Sequence, residues 1–115
     1  MIKMKKTLVM KKNYEFKRVL TRGKFFSGKY IEAFILKNKN NINKIGFAVS
    51  VKVGKAVKRN KIKRLLKENY RILEEQINTG FDIIFLWKKK ADTKDAKYNN
   101  IKKDMITILK KSGIL

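Results

Sequence analysis

Hydrophobic and polar positions along the chain change period several times, and the changes mark its elements. Phe16, Val19 and Leu20 recur at helical spacing between Tyr14 and Arg22. Asn13 can cap that helix, Glu15 suits its first turn, and Gly23 stops it. Lys29–Lys37 alternates as a strand, with Ile31, Ala33 and Ile35 on one face and Tyr30, Glu32, Phe34 and Leu36 on the other. An Asn-rich turn, Lys37–Lys44, leads to a second strand, Ile45–Val51. Ile45, Phe47, Val49 and Val51 share one face there, and Gly46, Ala48 and Ser50 leave the other open to close approach. A long helix is expected from about Val57 to Ile77, closed by the turn at Asn78–Gly80. Phe81–Trp87 is apolar on both faces except at Asp82, as a central strand would be. A last helix, capped by Thr93 or Asp92, carries Tyr98, Ile101, Met105, Ile108 and Leu109 as its buried stripe and ends at Gly113.

The predicted order is α-β-β-α-β-α, an α+β sandwich with a small, mostly antiparallel sheet and helices packed on it. The 115 residues fit a single domain, 1–115, without internal repeat, proline or low-complexity linker. Met1–Lys12 reads as a basic, flexible arm. Its apolar run, Leu8-Val9-Met10, is too short for a signal-peptide core or a membrane span, so a cytoplasmic location is expected.

Charge changes the picture most. Lys and Arg number 31 against 9 Asp and Glu, a formal net charge of +22. A compact state with that self-repulsion is expected to work against a polyanion. The 43% hydrophobic content argues against disorder. Cys and His are both absent, which excludes disulfides, thiolate sites and zinc centres of the usual kind.

Within Lys52–Arg71, 9 of 20 residues are basic and only Glu68 is acidic. Ile62, Leu65, Leu66, Tyr70, Leu73 and Ile77 make one apolar face of the helix, while Lys61, Lys63, Arg64, Lys67 and Arg71 cover the other side with Asn60. Lys58 and Arg59 in the first turn oppose the helix dipole and are costly unless an anion is near. A solvated face normally mixes signs; this one does not, and a phosphate-binding face is the favoured reading. Membrane binding is disfavoured because the core already needs the apolar face. Phe16 and Phe34 could stack on unpaired bases, or Phe16 could staple the first helix to the sheet over Phe34; the pattern leaves both open.

The chemistry of bond cleavage is missing. There is no His, the acids are scattered, the pairs Glu74-Glu75 and Asp92/Asp95 sit at helix ends, and no phosphate-binding glycine loop exists. No catalytic residue and no protein metal site is expected.

The run Val53-Gly54-Lys55-Ala56-Val57-Lys58-Arg59-Asn60-Lys61-Ile62-Lys63-Arg64 resembles the long-helix signature of the protein subunits of bacterial ribonuclease P. The Asn13–Phe16 spacing, Gly46 and Ser50, Asp82 and Tyr98 extend the resemblance from about Lys11 onward. Lys61 stands in place of an arginine, losing a planar fork for phosphate. Val51 stands where many members have a basic residue, and Leu20 replaces a frequent aromatic. The resemblance implies a left-handed β-α-β crossover of the kind found in a ribosomal protein domain. It implies that Arg59, Asn60, Lys61, Lys63, Arg64 and Lys67, with Lys52, Lys55 and Arg71 on the same surface, contact a catalytic RNA. It further implies that Phe16, Lys17, Leu20, Phe34 and the stripe of Ala48 and Ser50 line a cleft for the 5′ leader of precursor tRNA, and strand alternation adds Tyr30 to that face. Catalysis would reside in the RNA with Mg²⁺, bound mainly by that RNA. Ribonuclease P RNA and precursor tRNA are the expected partners, without DNA, membrane or protein oligomerisation. A small ribosomal protein or RNA chaperone is the alternative, followed by a nuclease acting alone and a DNA-binding module, the last lacking a helix-turn-helix layout.

Overall fold

The computed structural model describes residues 7–115. Its elements are β1 (Thr7–Val9), α1 (Asn13–Arg22), β2 (Lys24–Ser27), β3 (Ile31–Lys37), β4 (Asn43–Ala48), α2 (Ala56–Leu73), β5 (Phe81–Trp87) and α3 (Tyr98–Ser112). Short 3₁₀ turns lie at Val51–Val53, Glu74–Gln76 and Thr93–Asp95. The strands form one five-stranded sheet in the order β1-β4-β5-β3-β2. As its two-sided apolar pattern requires, β5 is central.

The sheet is mixed, which corrects the mostly antiparallel expectation. β2–β3 and β3–β5 are antiparallel, whereas β1–β4 and β4–β5 are parallel. The α2 connection between β4 and β5 is the β-α-β unit that the resemblance implied. Two strands were not foreseen. Thr7–Val9 falls in what reads as a flexible arm, yet it pairs with β4, and Met10 N–H donates to the Ile45 carbonyl at 2.8 Å. The rest of the expected arm, residues 1–6, lies outside the described residues. β2 pairs Lys24–Ser27 with Ile35–Glu32, where only a connection was expected.

Each sheet face is packed by different helices. α2 and α3 cover Ile31, Ala33, Ile35, Ile45, Ile83, Phe85 and Trp87, the larger core. α1 covers the other face, where Met10, Val19 and Ile84 are buried and Phe16, Phe34, Leu36 and Leu86 pack around them. Helices on both faces make three layers with the sheet in the middle, as residues pointing alternately to the two faces in β3, β4 and β5 require. β4 stops at Ala48 rather than Val51: Val51 is 73% exposed in the 3₁₀ turn that Ser50 Oγ caps by accepting Lys52 N–H.

Asp104, on the inner face of α3, accepts the backbone N–H groups of Lys29 and Ile31 at 2.9 Å each and that of Tyr30. The carboxylate also sits where a side chain at Gly28 would lie, 2.8 Å from an ideal Cβ. Gly113, at φ 81°, ends α3 in the left-handed conformation open to glycine.

Candidate nucleic-acid interface

The basic helix presents its charges as the pattern requires. Ile62, Leu65, Leu66, Asn69, Tyr70 and Leu73 face inward. Lys58, Asn60, Lys61, Lys63 and Arg64 are exposed, as are Lys52 and Lys55 just before the helix. Arg59 is half-buried because its Nε donates to the Gly54 carbonyl at 3.2 Å, tying the helix start to the preceding loop. Lys67 and Arg71 are also half-buried, so the exposed basic surface is densest over the first half of the helix. Arg64 and Glu68 approach only to 3.8 Å, an exposed pair of little energetic consequence. The first turn of α2 contains no acidic residue, so nothing within it offsets the cations against the helix dipole.

On the opposite face, the strand registers build a floor in three rows. The first is Lys44, Asp82 and Leu36; the second is Gly46, Ile84, Phe34 and Phe25; the third is Ala48, Leu86, Glu32 and Ser27. α1 lies over the first two. Glu15 accepts from Lys44 Nζ at 2.9 Å, and Arg18 Nη2 donates to Asp82 Oδ2 at 2.8 Å. The Phe16 ring sits on Gly46, whose missing side chain makes the room: an ideal Cβ there would be 2.6 Å from the ring. The stripe of small residues is therefore covered at Gly46 and open only at Ala48 and Ser50. Beyond α1 the third row continues into a groove of about 470 Å³ lined by Glu32, Ser50, Leu86, Trp87 and Lys88–Lys90.

The sequence-predicted leader residues divide accordingly. Phe16 and Phe34 are half-buried, Lys17 and Leu20 are exposed on α1, and Ala48 and Ser50 border the open floor. Tyr30 is not among them. The chain turns at Lys29–Tyr30 to meet Asp104 before the strand begins, and the Tyr30 ring stacks on Trp87 at 5.9 Å, against the α2–α3 core. Two contributors escaped the sequence reading. Phe25, 51% exposed, lies 5.1 Å from the Phe34 ring and extends the aromatic floor to the sheet edge. Lys88–Lys90 bring charge to the far end of the groove. The adjacent aromatics Phe25-Phe26 and the lysine run were visible signals, but neither strand register nor loop position could be read from them.

Groove and basic helix are joined through a short connection, since Ser50 ends the stripe and Lys58 opens the exposed charge of α2. Among the described residues no cluster of acidic side chains could hold a metal ion, and no helix is long and apolar enough to cross a membrane.

This architecture has known counterparts. The Ribonuclease P family model matches residues 4–113. The Ribonuclease P protein component of Clostridium botulinum strain 657 is 44% identical over 106 residues, covering 91% of this chain and 94% of that protein. That of Natranaerobius thermophilus is 42% identical over 112 residues, covering 97% and 96%. Among solved structures, the Staphylococcus aureus RNase P protein superposes with a TM-score of 0.81 at 30% identity, covering 92% of this chain and 95% of that one. The Thermotoga maritima protein, in complex with 1-(4-fluorophenyl)-2-thiourea, gives 0.76 at 28% identity, covering 84% and 92%. Fold, basic helix and sequence thus agree, and the chain belongs to the ribonuclease P protein family, the protein subunits of a ribonucleoprotein endoribonuclease that acts in tRNA processing.

Proposed function

We propose that Lys52 and Lys55 before α2 and the outer face of α2 through Arg59, Asn60, Lys61, Lys63 and Arg64 grip the ribonuclease P RNA in the cytoplasm, while the groove beside α1 holds the 5′ leader of precursor tRNA. The observation that carries this is the separation of two surfaces by the sheet. One is convex, basic and helical, suited to phosphates; the other is concave, with half-exposed aromatics and small residues under a basic rim. A single-stranded leader of varied sequence calls for stacking and backbone charge rather than base-edge reading, and Phe16, Phe34, Lys17, Ala48 and Ser50 supply that combination.

The chain's part in the reaction is binding and placement. Lysines and arginines neutralise phosphate, the aromatic floor orders the leader, and the scissile bond is left to the RNA. Mg²⁺ held by the RNA would supply the Lewis acid and the activated water.

Reconstitution with a bacterial ribonuclease P RNA at low Mg²⁺ tests the reading. The wild-type protein should restore 5′ leader removal. Arg64→Ala should weaken assembly with the RNA about tenfold, on the scale of one lost charge-assisted phosphate contact. Phe34→Ala should leave assembly intact and lower the preference for long-leader substrate. Cleavage by RNA-free protein would overturn the assignment of catalysis to the RNA.

A further inference from the structure

α1 is attached to the sheet in an uneven way. Its apolar contacts are few: Val19 is its single buried apolar residue, and Phe16 rests on Gly46. Its polar attachments are strong and lie along one row of the sheet. Asp82, 2% exposed, takes Arg18 Nη2 on Oδ2 and Asn38 Nδ2 on Oδ1, both at 2.8 Å. Asn38 is itself fixed by donating to the Ile42 carbonyl at 3.2 Å. One strand over, Lys44 takes Glu15, whose other oxygen accepts the Lys12 N–H at 3.2 Å. Glu15 and Arg18 are one helical turn apart, and Lys44 pairs in register with Asp82. Two ion pairs thus fix the height and the rotation of one helix edge. The opposite edge carries Phe16, seated on Gly46 in the second row, and the exposed Leu20; the next row, Ala48, Leu86 and Glu32, runs on into the open groove.

We infer that Asp82, with Arg18 and the Glu15–Lys44 pair, is a positioning device that sets α1 over the sheet and so fixes the width of the leader groove. The inference rests on the groove reading given above. It assigns these four residues no contact with RNA. A buried carboxylate held by two donors keeps its partner in one geometry more firmly than an exposed pair would. A groove that stacks bases is sensitive to displacements of about 1 Å in its wall.

The test uses holoenzyme reconstituted with each variant and two substrates, a long-leader precursor and one with a single-nucleotide leader. Asp82→Asn should raise KM for the long-leader substrate about tenfold, with kcat, the short-leader KM and RNA-subunit affinity unchanged, within the range of one mispositioned stacking contact. Arg18→Met should do the same, and Arg18→Lys should recover part of the loss. If Asp82→Asn fails to fold, Arg18→Met, altering a side chain 46% exposed, carries the test. A merely structural role would lower stability and affect both substrates alike. An Asp82→Asn enzyme with the wild-type ratio of the two KM values overturns the inference, as does tighter long-leader binding, which would mean that the freed Arg18 contacts phosphate directly. Phe34→Ala in the same assay separates the failures: if it also leaves the ratio unchanged, the groove reading falls; if it alone changes the ratio, only the positioning role falls.

Discussion

Glu15 is buried on the sheet-facing side of α1, and its hydrogen bond with Lys44, aided by the Lys12 N–H, outweighs burial and holds its carboxyl below the ordinary value of 4.5. The same bond holds the Lys44 ammonium above its ordinary 10.5. Glu15 therefore contributes stability that is complete above its ordinary value and disappears as pH falls through the depressed one; the Lys44 contribution is complete below its ordinary value and is lost as pH rises through the raised one. Replacing Glu15 by Gln should lower the urea midpoint at neutral pH and flatten its acid limb. An acid limb of unchanged slope would place that titration on other carboxylates. Residue chemistry was unevenly legible in the sequence. The exposed positions of the basic motif follow from helical periodicity and charge alone. Phe16 and Phe34 could be singled out but not assigned, because stapling and stacking use the same residue types; the structure has Phe16 sealing Gly46 while Phe34 stays half open beside Phe25. Tyr30 was misplaced by extending strand parity one residue too far, across a turn shaped by a carboxylate 74 positions later.

That carboxylate shows what elements need beyond their own periodicity. α3 offers an apolar stripe, but Asp104 in the middle of that stripe registers the helix against the β2–β3 turn by accepting consecutive backbone N–H groups. Asp104→Asn loses the charge and presents donors to donors, so it should cost roughly 2–3 kcal/mol, the worth of charge-assisted bonds whose partners stay buried. Urea unfolding measures this, and a change below about 0.5 kcal/mol, the scatter of ordinary surface substitutions, would show that water replaces the carboxylate freely. The helices and the three longer strands were legible because each repeats its period several times. β1 and β2, at three and four residues, are too short to repeat anything. β1 exists through its neighbours, with Thr7 Oγ1 2.8 Å from the Tyr70 hydroxyl and Met10 buried under α1. Burial pushes the Tyr70 hydroxyl's pKa up, so that contact stays neutral across the physiological range. Helix α2 ended sooner than its pattern, at Leu73, and a tighter 3₁₀ turn at Glu74–Gln76 carries the chain onward.

At the scale of the molecule, charge was the plainest message in the sequence and sheet topology the most hidden. The net charge is +22, and among the described residues exposed lysines and arginines lie on both sides of the sheet, so anions that bind the native surface should stabilise it. The melting temperature should rise by several degrees between chloride and sulfate at equal ionic strength, in scanning calorimetry. An equal response to both salts would mean that screening alone, without site binding, accounts for the gain. Topology was hidden because alternation says which face a residue takes and nothing about which strand lies beside it. The parallel β4–β5 pair depends on a helix crossing between them, and the mixed sheet follows from that crossing.

The central place of β5 has a further consequence during synthesis. Its residues emerge late, yet it must enter between β4 and β3, parallel to one and antiparallel to the other. Until Phe81–Trp87 have left the ribosome the earlier strands have no common partner, Asp82 is not there to receive Arg18, and α2 has no finished layer to cover. The nascent chain, already strongly cationic, therefore carries neither the groove nor the packed basic helix in final form until β5 is in place. Both arise together in one late, cooperative closure built on long-range pairing.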